Sequence, residues 1–236
     1  MGTLIGIVGE SGRGKSTSLR NLDPSETFII NVAGKALPIR GYKKKYLDVK
    51  TTDMKTGNYV ETHNPDTIYK FMKMVSDKRP EIKVLVVEDS SYVTSFEIFD
   101  RAKESSYTKQ VEIADHYARI LRTVQELRDD LFVVIVTHPD VERDAMGEIT
   151  NMKIKTYGKM TDKYMSLDGL FTYIFFAQTL VNEEPGGAIH TRYVFDTNDP
   201  RKISTAKSPF GVFEERYIDN DIAAAINAIQ AYNDGE

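Results

Sequence analysis

Near its start the chain reads GIVGESGRGKST, in which Gly9, Gly14, Lys15 and Ser16 fit the spacing GxxxxGK[ST]. Residues of these types at this spacing can hold phosphate. Backbone N–H groups from Glu10, Ser11, Gly12, Arg13, Gly14 and Lys15 can wrap phosphate oxygens, because glycines permit close backbone approach and a following helix offers its positive end. Lys15 would neutralise the β- and γ-phosphates, the Ser16 hydroxyl would bind Mg²⁺, and Thr17 closes the nucleotide-binding run. The expected ligand is ATP with Mg²⁺. A chance glycine-rich turn before a helix is the plain alternative.

A magnesium site on such a loop needs a carboxylate at the end of a neighbouring buried strand. VLVVEDSS supplies two, Glu88 and Asp89, after four apolar residues. Strand alternation should aim one of the pair at the phosphates, and Asp89 is the expected metal partner. An ordinary acidic strand terminus is the other reading. For hydrolysis, Glu88 is the nearest candidate base in sequence and Glu10 a poorer one. His138, closing the run VVIVTH, stands where a polar side chain could sense the γ-phosphate, or where it could simply bond to backbone.

The elements that must position these groups follow from periodicity. Thr3 to Val8 reads as a strand, the segment Lys15 to Leu22 as a helix stopped by Asp23-Pro24, and Thr27 to Val32 as a second buried strand. Asp66 to Ser76 carries Ile68, Phe71, Met72 and Val75 on one helical face. Lys83 to Asp89 and Leu131 to His138 are continuous apolar runs of the kind found in parallel sheets. Between them, residues 109 to 128 read as a long helix with Val111, Ala114, Ala118, Leu121 and Val124 as its stripe. Pro139 to Lys159 is polar, a loop or hairpin, and FTYIFFAQ and HTRYVFDT form an expected edge hairpin around Glu183 to Gly187. A last helix over 220 to 232 buries Ile222, Ile226 and Ile229. The fold class expected is a three-layer α/β domain spanning residues 1–236, mainly parallel, with an antiparallel hairpin near the C-terminus.

Bulk properties set limits. With 236 residues, 41% hydrophobic and 28% charged, the chain can bury one sizeable core. It has no cysteine, which excludes disulfides, thiolate zinc sites and cysteine nucleophiles. No apolar run approaches the ~20 residues of a membrane span, and no signal peptide is visible, so a cytoplasmic protein without membrane contact is expected. The net charge of −4 does not by itself point to nucleic acid.

Taken in order, GESGRGKST, VLVVEDSSYV, VVIVTHPDVE, YGKM and AKSPFGVFEERYI resemble the RecA-like P-loop ATPases encoded by phages, and most closely the Sak-type single-strand annealing branch reduced to its ATPase core. The resemblance covers nearly the whole chain. It implies an Mg-dependent ATPase acting in phage DNA recombination within the host cytoplasm, with single-stranded DNA as partner. It further implies a homo-oligomer, ring or filament, and admits a single-strand-binding protein as a second partner. By position, the polar segment after His138 would contact DNA through Arg143, Lys153, Lys155 and Lys159, with Tyr157 as a stacking platform. A solvated loop diluted by Asp140, Glu142, Asp144 and Glu148 is the competing reading. The basic run GYKKKY (41–46) has the same two readings. Lys207, with Lys202 as second choice, would reach the γ-phosphate of a neighbouring subunit as a trans-acting finger.

One departure matters. RecA-like enzymes carry a glutamate just after the second strand, whereas IINVAGKALP has Asn31, Gly34 and Lys35 and no carboxylate. Either Glu88 has taken over or hydrolysis is slow. No arm precedes the first strand in this sequence, which leaves oligomer geometry open. Two other functions use the same loop: a small-molecule or nucleoside kinase, whose arginine-bearing lid would have only Arg143 in residues 139–160, and a nucleotide-dependent scaffold with little turnover.

Overall fold

The computed structural model describes residues 1–156, 166–183 and 189–235. The apolar runs form strands β1 (Thr3–Val8), β2 (Thr27–Asn31), β3 (Tyr59–Glu61), β4 (Val84–Glu88) and β5 (Phe132–Thr137). After β5 come β6 (Pro139–Arg143) and β7 (Ile149–Ile154), then β8 (Tyr173–Glu183), β9 (Ile189–Asp196) and β10 (Tyr217–Asp219). Eight of these make one sheet in the order β10-β9-β8-β1-β5-β4-β2-β3. From β8 to β3 every pairing is parallel; β9 and β10 extend the sheet antiparallel at one edge.

Alternation along the strands explains why both faces are buried. In β1, Leu4 and Val8 join a cluster with Ile68, Met72, Ile120 and Leu121, which lie on α2 (Pro65–Lys78) and α4 (Tyr107–Thr123). Ile5 and Ile7 point the other way, into a cluster with Ile222, Ile226 and Ile229 of the C-terminal helix (Ile222–Asp234). Each fully buried isoleucine contributes about 1.5–3 kcal/mol relative to exposure. With helices on both faces, each parallel strand can be apolar throughout.

Several expectations need correction. The segment after the glycine-rich loop is a six-residue 3₁₀ turn, Ser16–Asn21. The Ser18 hydroxyl donates to the Lys15 carbonyl at 2.5 Å and its N–H reaches both the Gly14 and Lys15 carbonyls. Small hydroxyl residues that bond locally in this way compete with regular α-helix. In α4 the buried stripe is Ile113, Tyr117, Ala118, Ile120 and Leu121, continued by Val124 just past its end; Ala118, Leu121 and Val124 are as expected, whereas Val111 is exposed. Periodicity did not reveal β3, β10, the single turn α1 (Tyr42–Lys45) or α3 (Ser91–Asp100), and the C-terminal helix is therefore α5. Residues 139–154 are a two-stranded hairpin with a bulge between Glu142 and Arg143. Among the described residues, no helix is long and apolar enough to cross a membrane.

Candidate functional site

Parallel sheets present ligands at the carboxyl ends of strands, where the chain leaves in opposite directions from neighbouring strands. Here that place is β1 beside β5: the chain after β1 goes to β2, and the chain after β5 goes to β8 on the other side. The loop from Gly9 to Ser16 sits there. A Cβ at Gly9 would come within 2.9 Å of the Ala177 carbonyl oxygen, so only glycine lets the loop leave β1 against β8. Gly14 has φ +88°, which a side chain would strain, and its Cα face packs on Tyr193 and Asn220.

Lys15 is 6% exposed, and its ammonium donates to the Glu10 carbonyl at 3.0 Å, across the bowl of the loop. Burial pulls this ammonium below its ordinary pKa, with the charges of Asp89 and Glu88 pulling back. Arg13 donates to the Thr179 hydroxyl and stands 3.8 Å from the Glu10 carboxylate; Ser11, Gly12 and Thr17 are exposed along the rim.

The two carboxylates at the end of β4 are distributed the other way round from expectation. Ser16 Oγ donates to Glu88 Oε1. Glu88 is the last residue of β4, in register with Asn31 of β2, and its carbonyl accepts from Val32 N–H at 3.1 Å, so the strand itself aims its side chain. Asp89 has already left the strand, with φ +56°, and turns toward Lys35. Both side chains are fully buried. Burial, then the charge of Asp89, push the Glu88 carboxyl up to about 7, against the Ser16 hydrogen bond and the two lysines. Glu88 Oε2 has no hydrogen-bond partner among the described residues.

A buried carboxylate oxygen left bare costs several kcal/mol, and a bound cation would remove that cost. Ser16 and Glu88 therefore fit a Mg²⁺ ion that takes its remaining ligands from phosphate and water, as Mg²⁺ sites commonly do. Among the described residues no group of three or more His, Cys, Asp or Glu could hold a metal without such help.

Lys35 is the residue that sequence reasoning passed over. Asn31 holds the turn before it, accepting from Gly34 N–H at 3.1 Å and donating to the Lys35 carbonyl at 2.7 Å. This brings Lys35 Nζ to 2.5 Å from Asp89 Oδ2, an ion pair not aligned as a hydrogen bond. Burial lowers the Lys35 ammonium, but Asp89 and Glu88 more than offset it and hold the pKa above its ordinary value. The signal available was its place just past the carboxyl end of a parallel strand. His138 Nε2 lies 3.8 Å from Asp89 Oδ1, too far for a hydrogen bond, and burial followed by the Lys15 charge keeps its imidazole below its ordinary pKa. His138 thus stands neutral at pH 7 beside both carboxylate and loop.

The residues expected to touch DNA are divided. Arg143 lies on β6, where it donates to the Gly147 carbonyl and stands 3.6 Å from Glu10 Oε1, tying the hairpin to the loop. Lys153 lies on β7, opposite Asp140. Lys155 is exposed just past β7, and its N–H donates to the His138 carbonyl. Tyr157 and Lys159 lie outside the described residues. Lys207 is a correction: its ammonium donates to the Asp168 carbonyl at 2.8 Å, its backbone pairs with Ile174, and burial lowers its pKa. A side chain spent on its own fold is a poor finger for a neighbour. Lys202 is exposed at a tight turn with φ +57°.

The site opens into a cavity of about 860 Å³, with Lys15, Ser16, Lys35 and His138 on one side and Tyr193 and Asn220 on the other. That volume lies within the usual range of small-molecule sites. No protein-family model and no curated protein matches this chain.

Proposed function

We propose that this chain is a RecA-like P-loop ATPase that binds ATP and Mg²⁺ and couples the bound nucleotide to single-stranded DNA. The observation that carries the reading is the Ser16 to Glu88 hydrogen bond, which joins the glycine-rich loop to the acidic end of β4 across the intervening β5. In this reading Lys15 would exchange the Glu10 carbonyl for the β- and γ-phosphates, and Ser16 and Glu88 would hold a Mg²⁺ ion, which would supply charge neutralisation there. Asp89, rather than Glu88, then faces the attacking water, with neutral His138 and Lys35 at its side. Arg143, Lys153 and Lys155 on and beside the hairpin are the DNA-facing cations, and the Glu10 contact to Arg143 links them to the loop.

Binding of ATP with and without Mg²⁺ to the wild-type chain and to Lys15→Ala tests the first half. A single-stranded oligonucleotide titrated with and without ATP and Mg²⁺ tests the second. ATP should raise DNA affinity in the wild type and not in Lys15→Ala, and affinity should fall steeply with salt as phosphate contacts release counterions. Equal DNA binding with and without ATP would sink the coupling.

A second reading has its own support. The Lys35 to Asp89 ion pair occupies the carboxylate that would otherwise orient water, which favours a nucleotide-dependent scaffold with little turnover. Single-turnover hydrolysis at the rate of buffer would favour the scaffold.

A further inference from the structure

Helix α3 keeps its aromatic residues on the outside. Tyr92, Phe96 and Phe99 fall at i, i+4 and i+7, which share one face of a helix. The opposite face, Val93, Thr94 and Glu97, is buried, and Ser90 just before the helix bonds to Tyr117 of α4 at 3.0 Å. Tyr92 and Phe99 are exposed, Phe99 by 75%, and Phe96 is half-buried. Single exposed aromatics are ordinary, but three in one stripe on a helix of 10 residues mark a surface that meets something. The rings also touch in succession. Phe96 lies 5.3 Å from Tyr92 and 5.2 Å from His63, centroid to centroid, and Tyr92 lies 6.0 Å from His138.

The surroundings of the stripe say what covers it. At the His138 end, Tyr92 and Ser95 line a cavity of about 350 Å³ together with Ser91, Ser11 and the exposed Lys155. Pro139 and Val141 of β6 complete its lining, so the stripe runs on into the hairpin that carries Arg143 and Lys153. The carboxylates nearby are already matched by cations or imidazoles. Glu10 faces Arg13 at 3.8 Å and Arg143 at 3.6 Å, Asp100 meets His63 at 3.0 Å, and Glu97 accepts from Arg101 at 3.1 Å and meets His116 at 2.8 Å. Aromatic faces beside hydroxyls and a lysine suit a chain that alternates flat rings with anions, which is single-stranded nucleic acid. An apolar helix from a protein partner would need aliphatic walls, and Ser91, Ser95 and Lys155 do not offer them.

We propose that the outer face of α3 is a stacking platform for single-stranded DNA, with Tyr92 and Phe96 under successive bases and Lys155 on the adjoining phosphate. The inference rests on the DNA half of the reading above and adds the residues that meet the bases. Its test titrates the full chain, with ATP and Mg²⁺, into a labelled single-stranded oligonucleotide and into an abasic strand of equal length, at several salt concentrations. Wild type should bind the base-bearing strand about tenfold or more tighter than the abasic one. Tyr92→Ala and Phe96→Ala should each weaken the base-bearing complex by about tenfold, the loss of one stacking contact, and leave abasic binding and the salt slope unchanged. Tyr92→Phe and Phe96→Tyr keep a ring and should keep the affinity. Lys155→Gln should do the reverse of the ring variants, weakening both strands and reducing the salt slope by about one. Unchanged ATP binding by each variant certifies its fold, and if Tyr92→Ala does not fold, Phe96→Ala decides. Equal wild-type affinity for the two strands, or ring variants that lose both strands alike, overturns the platform, leaves the stripe to a protein partner and keeps the DNA reading. Failure of wild type to bind either strand removes the DNA reading and the platform with it.

Discussion

Two of the places where this fold buries charge treat it differently. Near β9 and β10, Arg216 donates to both carboxylate oxygens of Asp196, at 2.9 and 2.7 Å, and to Asp199 at 2.9 Å. Asp199 also accepts from the backbone of Arg201, Ile203 and Ser204. Burial pushes its carboxyl up, yet those backbone donors and Arg216 leave it below the ordinary value. At the end of β4, by contrast, Glu88 and Asp89 retain oxygens without hydrogen bonds among the described residues, and Glu88 is pushed up to about 7. The first cluster is complete and holds the antiparallel extension to the sheet. The second is incomplete among the described residues, which is what the proposed Mg²⁺ site would need.

If that contrast is right, variants in the two clusters should fail in different ways. The largest effect belongs to Arg216→Met, which strands two buried carboxylates and should cost about 3–5 kcal/mol of stability, read as a lower denaturation midpoint. Next, Lys15→Ala should leave stability nearly unchanged but weaken ATP binding by about 2–3 kcal/mol, roughly a hundredfold, by calorimetry. Loss of stability in Lys15→Ala of the size seen for Arg216→Met would erase the distinction.

Glu88→Gln sharpens the comparison through pH. The folded pKa of Glu88, about 7, lies above its ordinary 4.5, so the folded chain holds a proton that the unfolded chain releases. Stability is therefore fully present below about pH 4.5 and is lost as pH rises through 7. The glutamine variant escapes that loss. It should match wild type near pH 4.5 and exceed it at pH 8 by on the order of 2 kcal/mol, while losing the Mg²⁺ dependence of ATP binding. A flat stability difference between pH 5 and 8 would mean Glu88 is not buried as a bare carboxylate. The smallest effect is Arg143→Ala, whose exposed contact with Glu10 should matter to stability by less than about 1 kcal/mol. It should nonetheless lower DNA affinity at low salt.

Much of the frame was legible in the residues. Continuous Val/Ile runs read as strands buried on two faces, and GxxxxGKS after such a run reads as a loop beyond a strand end, although the helix expected after it is a 3₁₀ turn. What was not legible depended on one residue's backbone. Whether Glu88 or Asp89 meets Ser16 is decided by where β4 stops pairing and by the positive φ at Asp89, neither of which alternation can reveal. Lys35 carries no assigned role in the sequence because its partner is 54 positions away and meets it only where β2 and β4 pair as neighbours in the sheet. Lys207 misled for the opposite reason: a lysine in a polar stretch reads as surface, and only the fold supplies the Asp168 carbonyl that holds it.

The hairpin of β6 and β7 has a practical consequence. Its base is stitched to the chain by Met152, which exchanges backbone hydrogen bonds with Ile203 and Thr205, while its tip carries Met146, 91% exposed. In a chain without cysteine, Met146→Cys would create a single attachment point for a fluorophore. Because Arg143 tethers that tip to Glu10, its emission would report on the loop from outside the cavity, an optical readout of occupancy in real time.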